Sequence, residues 1–261
     1  MIAQAIHAQA VVGASAKLAG SVSVGAYAII GDDVTLGEGC VVHSHAVITG
    51  PTVAGRNNIF HPFCSVGGDP QDLKFAGERT TLTIGDDNTF REYVTVSRGT
   101  VGGGGETTIG GGNLFMAYAH IAHDCRVGSN TIFANGATLA GHVAVEDFAS
   151  VGAFSPVHQF CRIGRYAYIG ASTVITQDVP PFSRVVTERQ TTSYGINAVG
   201  LQRKGFSAER LAALKSAYRL LLRAKLNTSQ ALEEMKKSLG DSADVRELIQ
   251  FIESAERGIV K

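Results

Sequence analysis

With 261 residues, of which 44% are hydrophobic, the chain has material for one elongated domain with a substantial core and a small appendix. Its formal net charge of zero leaves no case for a nucleic-acid partner. The sequence opens on no targeting pattern and holds no apolar run long enough for a membrane span, so a soluble cytoplasmic protein is expected.

The predicted elements begin at Ile6. From there an aliphatic or aromatic residue recurs at every sixth position, through Val12, Leu18, Val24, Ile30, Leu36, Val42, Ile48, Ala54, Phe60 and Val66. The phase restarts at Ile84, Phe90 and Val96, and again at Ile109, from which it runs unbroken to Ile175. Such a period fits neither a helical turn nor the two-residue alternation of an ordinary strand. It is the signature of a parallel β-helix, in which three hexapeptides make one triangular coil. About nine coils at a spacing of ~4.8 Å predict a prism roughly 40 Å tall.

The position four after each large residue holds small or slim side chains, which suits a tight corner over a narrow core. All four cysteines (Cys40, Cys64, Cys125 and Cys161) fall there and are expected as packed, reduced thiols. Glycine often follows the large residue, as at Gly25, Gly37, Gly128 and Gly152, and is expected to serve unusual backbone angles.

Two insertions interrupt the prism, at residues 67–81 and 97–108. Insertions into a solenoid project as loops and commonly build the binding face. The first carries Gln71-Asp72-Leu73-Lys74 and the second Gly102-Gly103-Gly104-Gly105. The glycine run lacks the Lys-Ser/Thr and following helix of a phosphate loop. An extended loop that reaches a neighbour is expected instead.

Beyond the second insertion, His120, His123, His142 and His158 occur with Asp124 and Gln159. A coil is eighteen residues, so His123 stacks under Gly141 and Gly141 under Gln159, with His142 and His158 beside them. Single histidines in such a repeat are usually surface residues; four in one column with a glycine among them point to a site. Two chemistries would use it. In one, His123 is a general base oriented by Asp124, and the Gly141 N–H stabilises the oxyanion of acyl transfer. In the other, the neutral imidazoles of His120, His123 and His142 bind zinc.

The repeat is expected to close at Val179-Pro180-Pro181, because proline cannot donate a backbone hydrogen bond. This predicts a β-helix over residues 1–181, a connector over 182–205 and a helical domain over 206–261. A helical pattern (Leu211, Leu214, Ala217, Tyr218, Leu221, Leu222) follows Ser207, its expected N-cap. Thr228 to Leu239 and Asp244 to Ala255 read as two further helices. Between residues 203 and 225 seven cations (Arg203, Lys204, Arg210, Lys215, Arg219, Arg223 and Lys225) face one anion, Glu209, a balance that would steer an acidic partner.

Five segments together resemble the UDP-N-acetylglucosamine O-acyltransferases of lipid A biosynthesis. They are Ala119-His120-Ile121-Ala122-His123-Asp124-Cys125, Leu139-Ala140-Gly141-His142, Val157-His158-Gln159-Phe160, Gln71-Asp72-Leu73-Lys74 and Gly200-Leu201-Gln202-Arg203-Lys204-Gly205-Phe206. The resemblance covers essentially the whole chain. It implies an all-β left-handed parallel β-helix followed by a small α-helical domain, assembled as a homotrimer with active sites between adjacent prisms. It implies transfer of a 3-hydroxyacyl group from acyl carrier protein to the 3-hydroxyl of the sugar in UDP-N-acetylglucosamine, with no metal or diffusible cofactor.

By the same resemblance His123 is the base and Gly141 the oxyanion donor. Gln71, Asp72, Lys74, His120, His142, His158, Gln159, Asn197 and Arg203 are substrate contacts, and Ala171 lies at the floor of the acyl groove. Arg203, Lys204, Arg210, Lys215 and Arg219 become a docking face for the acidic carrier protein. Val199 stands where the best-known members have Glu, and Lys204 where a second Arg is common, which keeps the charge but loses the bidentate fork. The related N-acyltransferase of the same pathway has an additional N-terminal uridine-binding domain, for which a repeat beginning by Ile6 leaves no room.

Overall fold

The computed structural model describes residues 5–187, 193, 195–255 and 259. It divides into two compact units, residues 1–187 and 188–261.

The first unit is a left-handed parallel β-helix. Its two- to four-residue rungs build three parallel sheets of ten, eight and eight strands, so the coil number agrees with the repeat count. The six-residue phase sets the register directly. Phe60 pairs with Val42 below and Phe90 above, and Ile121 pairs with Val96 and Leu139. The large residues point inward and stack on their equivalents. Phe60, Phe90, Phe115 and Phe133 form a fully buried column with ring centroids 4.9–5.2 Å apart, in the range where offset aromatic pairs attract.

The slim position is as expected: Val22, Ala28, Cys40, Ala46, Cys64, Cys125 and Ala137 are all fully buried. Its polar members are satisfied by one another. Asn58 Oδ1 accepts from the Asn88 side chain and N–H, Asn88 Oδ1 from the Asn113 N–H, and Asn113 Oδ1 from the Thr131 hydroxyl and N–H. All four cysteines are free and buried. Burial pushes the Cys64 and Cys125 thiols up to about 12, which keeps them protonated and inert.

The expectation for the repeat glycines needs correction. Left-handed backbone falls two residues later, on the third residue after the large one, as at Tyr27 (φ 59°), Asp124 (φ 60°), His142 (φ 64°) and Phe160 (φ 66°). Except at Gly67, where the first insertion begins, glycine directly after the large residue has ordinary φ, and at several coils it is there for space. A Cβ on Gly25 would stand 2.6 Å from Ser44 N, and one on Gly152 2.5 Å from Gly170 C. The next coil passes too close for any side chain.

The stack also runs one rung beyond the expected boundary at 181. Arg184–Val185 pairs with Tyr168–Ile169. Pro181 sits in the turn before that rung, where no ladder N–H is required of it.

Among the described residues the second unit holds four helices: α1 (Ala198–Arg203), α2 (Ala208–Arg223), α3 (Thr228–Leu239) and α4 (Ala243–Glu253). Leu214, Ala217 and Leu221 of α2 pack with Ala231, Leu232 and Met235 of α3 and Val245, Ile249 and Ile252 of α4. Ser207 caps α2 by accepting from the Arg210 N–H. Helix α1 lies inside what the sequence reads as connector; it is short and capped by Asn197, whose side chain accepts from the Gly200 N–H. Among the described residues, no helix is long and apolar enough to cross a membrane.

Candidate active site

Subtracting eighteen places His123 beneath Gly141, and the coordinates agree. The His142 N–H donates to the His123 carbonyl at 3.0 Å, and the Phe160 N–H to the Gly141 carbonyl at 3.2 Å. The imidazole of His123 fills the space a side chain at 141 would need: a Cβ there would stand 2.6 Å from Cε1 and 2.9 Å from Nε2. Among the described residues the Gly141 N–H donates to no backbone carbonyl. It is a free donor beside a histidine.

Asp124 follows His123 directly, and sequence adjacency would normally aim the two side chains apart. The left-handed conformation at Asp124 turns the chain so that its Oδ2 lies 2.7 Å from His123 Nδ1. An ionised carboxylate only accepts, so Nδ1 carries the ring proton and Nε2 of the neutral ring is left as acceptor. Asp124 is buried. Burial works against its charge, but the Thr100 hydroxyl (2.6 Å), the His123 ring and the Thr100 N–H (2.7 Å) together hold its carboxyl below the usual range.

Thr100 belongs to the second insertion and opens a single 3-10 turn over Val101–Gly103. This loop folds back over its own prism; a Cβ on Gly103 would stand 2.0 Å from the Asp124 carboxyl carbon. Gly104 and Gly105 complete the turn with φ of +100° and +83°. Two of the four glycines thus serve backbone angle and one serves close approach. Where an extended loop is expected, the run instead turns over Asp124.

His142 completes the cluster. Its ring meets that of His123 edge-on at 5.3 Å and stacks on Phe160 at 4.5 Å, with Nε2 3.7 Å from Asp124 Oδ2. Both insertions converge on this ring. Asp72, Lys74, Phe75 and Glu78 of the first, Thr100 to Gly103 of the second, and His142 and Phe160 of the prism line one cavity of about 440 Å³. Asp72 shapes its own loop, accepting from the Lys74 N–H at 2.9 Å.

Other expected residues stand apart from the cavity lining. Gln71 is exposed. His120 turns to the Thr95 hydroxyl, 2.7 Å from Nδ1, and burial, with His123 nearby, lowers its pKa. His158 is exposed with Nδ1 3.1 Å from the Gln159 carbonyl. Ala171 is exposed, one coil above Ala153. The zinc set changes as well: among the described residues the only three-donor group is His123, Asp124 and His142, within 4.8 Å, without His120. The His123 Nδ1 and Asp124 Oδ2 atoms are already engaged with each other.

In the helical unit, Asn197 caps α1, Arg203 ends it and Lys204 is its C-cap. Arg210 departs from the docking-face expectation. It holds Asp244 with Nε at 2.8 Å and Nη2 at 2.7 Å and lies 3.7 Å over the Phe206 ring. It is engaged within its own unit. Lys215, Arg219 and Arg223, each four residues apart on α2, remain exposed and line a hollow of about 330 Å³ with Tyr218.

Sequence reasoning missed Thr100, Gly103, Phe160 and Glu78. Only Phe160 left a signal, as the aromatic residue one coil above His142.

Known proteins resemble the chain in sequence and fold. Residues 15–50 and 106–141 match the profile of the bacterial transferase hexapeptide family, and residues 178–260 match domain 2 of UDP-N-acetylglucosamine O-acyltransferase. The acyl-[acyl-carrier-protein]–UDP-N-acetylglucosamine O-acyltransferase of Xylella fastidiosa is 51% identical over 259 residues, 99% of this chain and 98% of its own length. Its counterpart in Stenotrophomonas maltophilia is 51% identical over 256 residues, covering 98% and 97%. Among solved structures, LpxA from Acinetobacter baumannii superposes with a TM-score of 0.69 at 41% identity, over 98% of this chain and 99% of that one. Identity of about half the residues over nearly the full length of these relatives, with a shared fold, makes this chain a member of the UDP-N-acetylglucosamine O-acyltransferase family.

Proposed function

We propose that the protein transfers a 3-hydroxyacyl chain from acyl carrier protein to the 3-hydroxyl of the glucosamine ring of UDP-N-acetylglucosamine, in the cytoplasm, as a step of lipid A biosynthesis. The observation that carries the reading is the His123–Asp124 pair packed against Gly141, whose N–H has no backbone partner among the described residues. His123 Nε2 takes the proton of the sugar hydroxyl as its oxygen attacks the thioester carbonyl. The carbonyl electrons move onto oxygen, which the Gly141 N–H receives. Collapse breaks the C–S bond, and the imidazolium returns the proton to the departing thiol. Asp124 holds the tautomer and stabilises the imidazolium, as a carboxylate does in other histidine-based sites.

Asp72, Lys74 and His142, which line the cavity, serve as acceptor contacts in this reading. Gln71, His120, His158 and Gln159 serve as further substrate contacts in this reading, and Asn197 and Arg203 as contacts to the nucleotide. Lys215 and Arg219, with Arg223, receive the acidic carrier protein, helped by Arg203 and Lys204. A homotrimer is supported by a column of partly exposed rings along one prism edge: Tyr27, His45, Phe63, Tyr93 and Tyr118, stacked 5.0–5.3 Å apart.

The test is product formation, read by mass spectrometry, from UDP-N-acetylglucosamine and carrier proteins bearing 3-hydroxyacyl chains of increasing length. One preferred length establishes the reaction, and Ala171→Gly should then lengthen the preference. His123→Ala should lower turnover about 10²- to 10⁴-fold with the oligomer intact. Turnover within tenfold of wild type would remove His123 as base.

A further inference from the structure

A buried cation outside the catalytic cluster joins the two insertions. The Arg98 side chain is only 9% exposed. Its Nη1 donates to the Gly67 carbonyl at 2.6 Å, its Nη2 to the Asp69 carboxylate, and its Nε has no partner among the described residues. The Arg98 backbone N–H adds a bond to the Gly68 carbonyl at 3.0 Å. Residues 67–69 are the neck through which the chain leaves the prism and enters the loop bearing Asp72 and Lys74.

That neck departs from regular geometry. Gly67 has φ +81°, and the strand register shifts between Val66 and Gly68. The Gly67 carbonyl takes two donors, the Arg98 guanidinium and the Thr49 hydroxyl, each at 2.6 Å. Burying a guanidinium is costly unless it is paired, and core stability is better served by an apolar residue. Two acceptors at different points of one neck suit the rigid fork of arginine, which an ammonium would not span. Two residues on, Thr100 holds Asp124. One tripeptide therefore grips the acceptor loop at its start and the partner of His123 at its end.

We propose that Arg98 is a positioning residue: its guanidinium locks the neck of the first insertion so that Asp72 and Lys74 stay against the cavity beside His142. The kinetic arm of the test rests on the acyl-transfer reading; the proteolytic arm does not.

Lys74 and Arg79 are exposed on the loop, so trypsin reports its release from the prism in the full-length protein. Cleavage after these residues should quicken about tenfold or more in Arg98→Met and Asp69→Asn, and less in Arg98→Lys, because local opening governs cutting. In steady state, Arg98→Met should raise KM for UDP-N-acetylglucosamine about 10- to 100-fold while kcat changes less than about threefold. Combined with Lys74→Ala, it should add little further, since both act through one loop. Wild-type cleavage rates, a loss confined to kcat, or multiplicative effects in the double variant would each overturn the proposal. Should Arg98→Met not fold, Asp69→Asn decides it, because the Asp69 side chain is 71% exposed. An inactive wild type would sink the acyl-transfer reading alone, with proteolysis still deciding the role of Arg98.

Discussion

The Thr100 hydroxyl and backbone N–H close on the two oxygens of Asp124, at 2.6 and 2.7 Å. The oxygen that takes the hydroxyl also takes His123 Nδ1. A loop residue twenty-four positions upstream thereby sets the electrostatics of the proposed base. Burial opposes the charge on Asp124, and these donors outweigh it.

Replacing Thr100 by valine keeps the shape and removes one donor. A carboxyl whose folded pKa is depressed contributes stability above its ordinary value near 3.8, and that contribution is lost as pH falls through the lowered folded value. In Thr100→Val the folded value rises toward the ordinary one, so the contribution is smaller and is used up at higher pH. The variant should be less stable at neutral pH by about 1–3 kcal/mol. Its acid limb of kcat/KM should also move to higher pH. Thermal melts from pH 7 down to about pH 2, which spans the range below the ordinary carboxyl value, with the pH–rate profile, check both; superimposable profiles would mean Thr100 has no hold on the dyad.

Gly141→Ala tests the other side of His123. The added methyl meets the imidazole at 2.6 Å, inside any real carbon contact, so ring or backbone must move. The φ at 141 is ordinary, so alanine brings no backbone strain of its own. Turnover should fall at least about 100-fold, since displacement of a catalytic group by ~1 Å costs on that order. The melting temperature should change little, because the ring can swing toward the cavity. Unchanged turnover would show that Nε2 does not work against the face of Gly141.

The prism was legible because its period is arithmetic. Within unbroken coils, adding eighteen to His123 reaches Gly141 and Gln159, and adding it to His142 reaches Phe160. The insertions break that arithmetic. Asn58 and Asn88 are neighbours thirty residues apart, and Thr100 meets Asp124 at twenty-four. A loop's return path has no period, so neither Thr100 on Asp124 nor Arg98 on Asp69 can be counted out. The glycine pattern was visible, but its cause was not: composition does not separate a glycine needed for φ from one needed for room. The pairing of Arg210 with Asp244 was hidden for a related reason, since the link joins two helices whose facing sides no period connects.

That distinction among glycines is itself testable in stability. Gly25 and Gly20 both lie in the first coils, and neither has positive φ. A Cβ on Gly25 would meet Ser44 N at 2.6 Å and His43 C at 3.0 Å, both backbone atoms of the next coil that cannot rotate away. One on Gly20 meets nothing within 4 Å. Gly25→Ala must therefore push neighbouring rungs apart or bend one, at about 1–3 kcal/mol for overpacking. Gly20→Ala should be neutral or gain about 0.4–1 kcal/mol, since alanine narrows the unfolded ensemble at no cost to the folded one. Chemical denaturation at a single protein concentration separates the two. Equal stability would mean the coils have slack at Gly25, and the glycine after each large residue would then need another cause than the approach of the next coil.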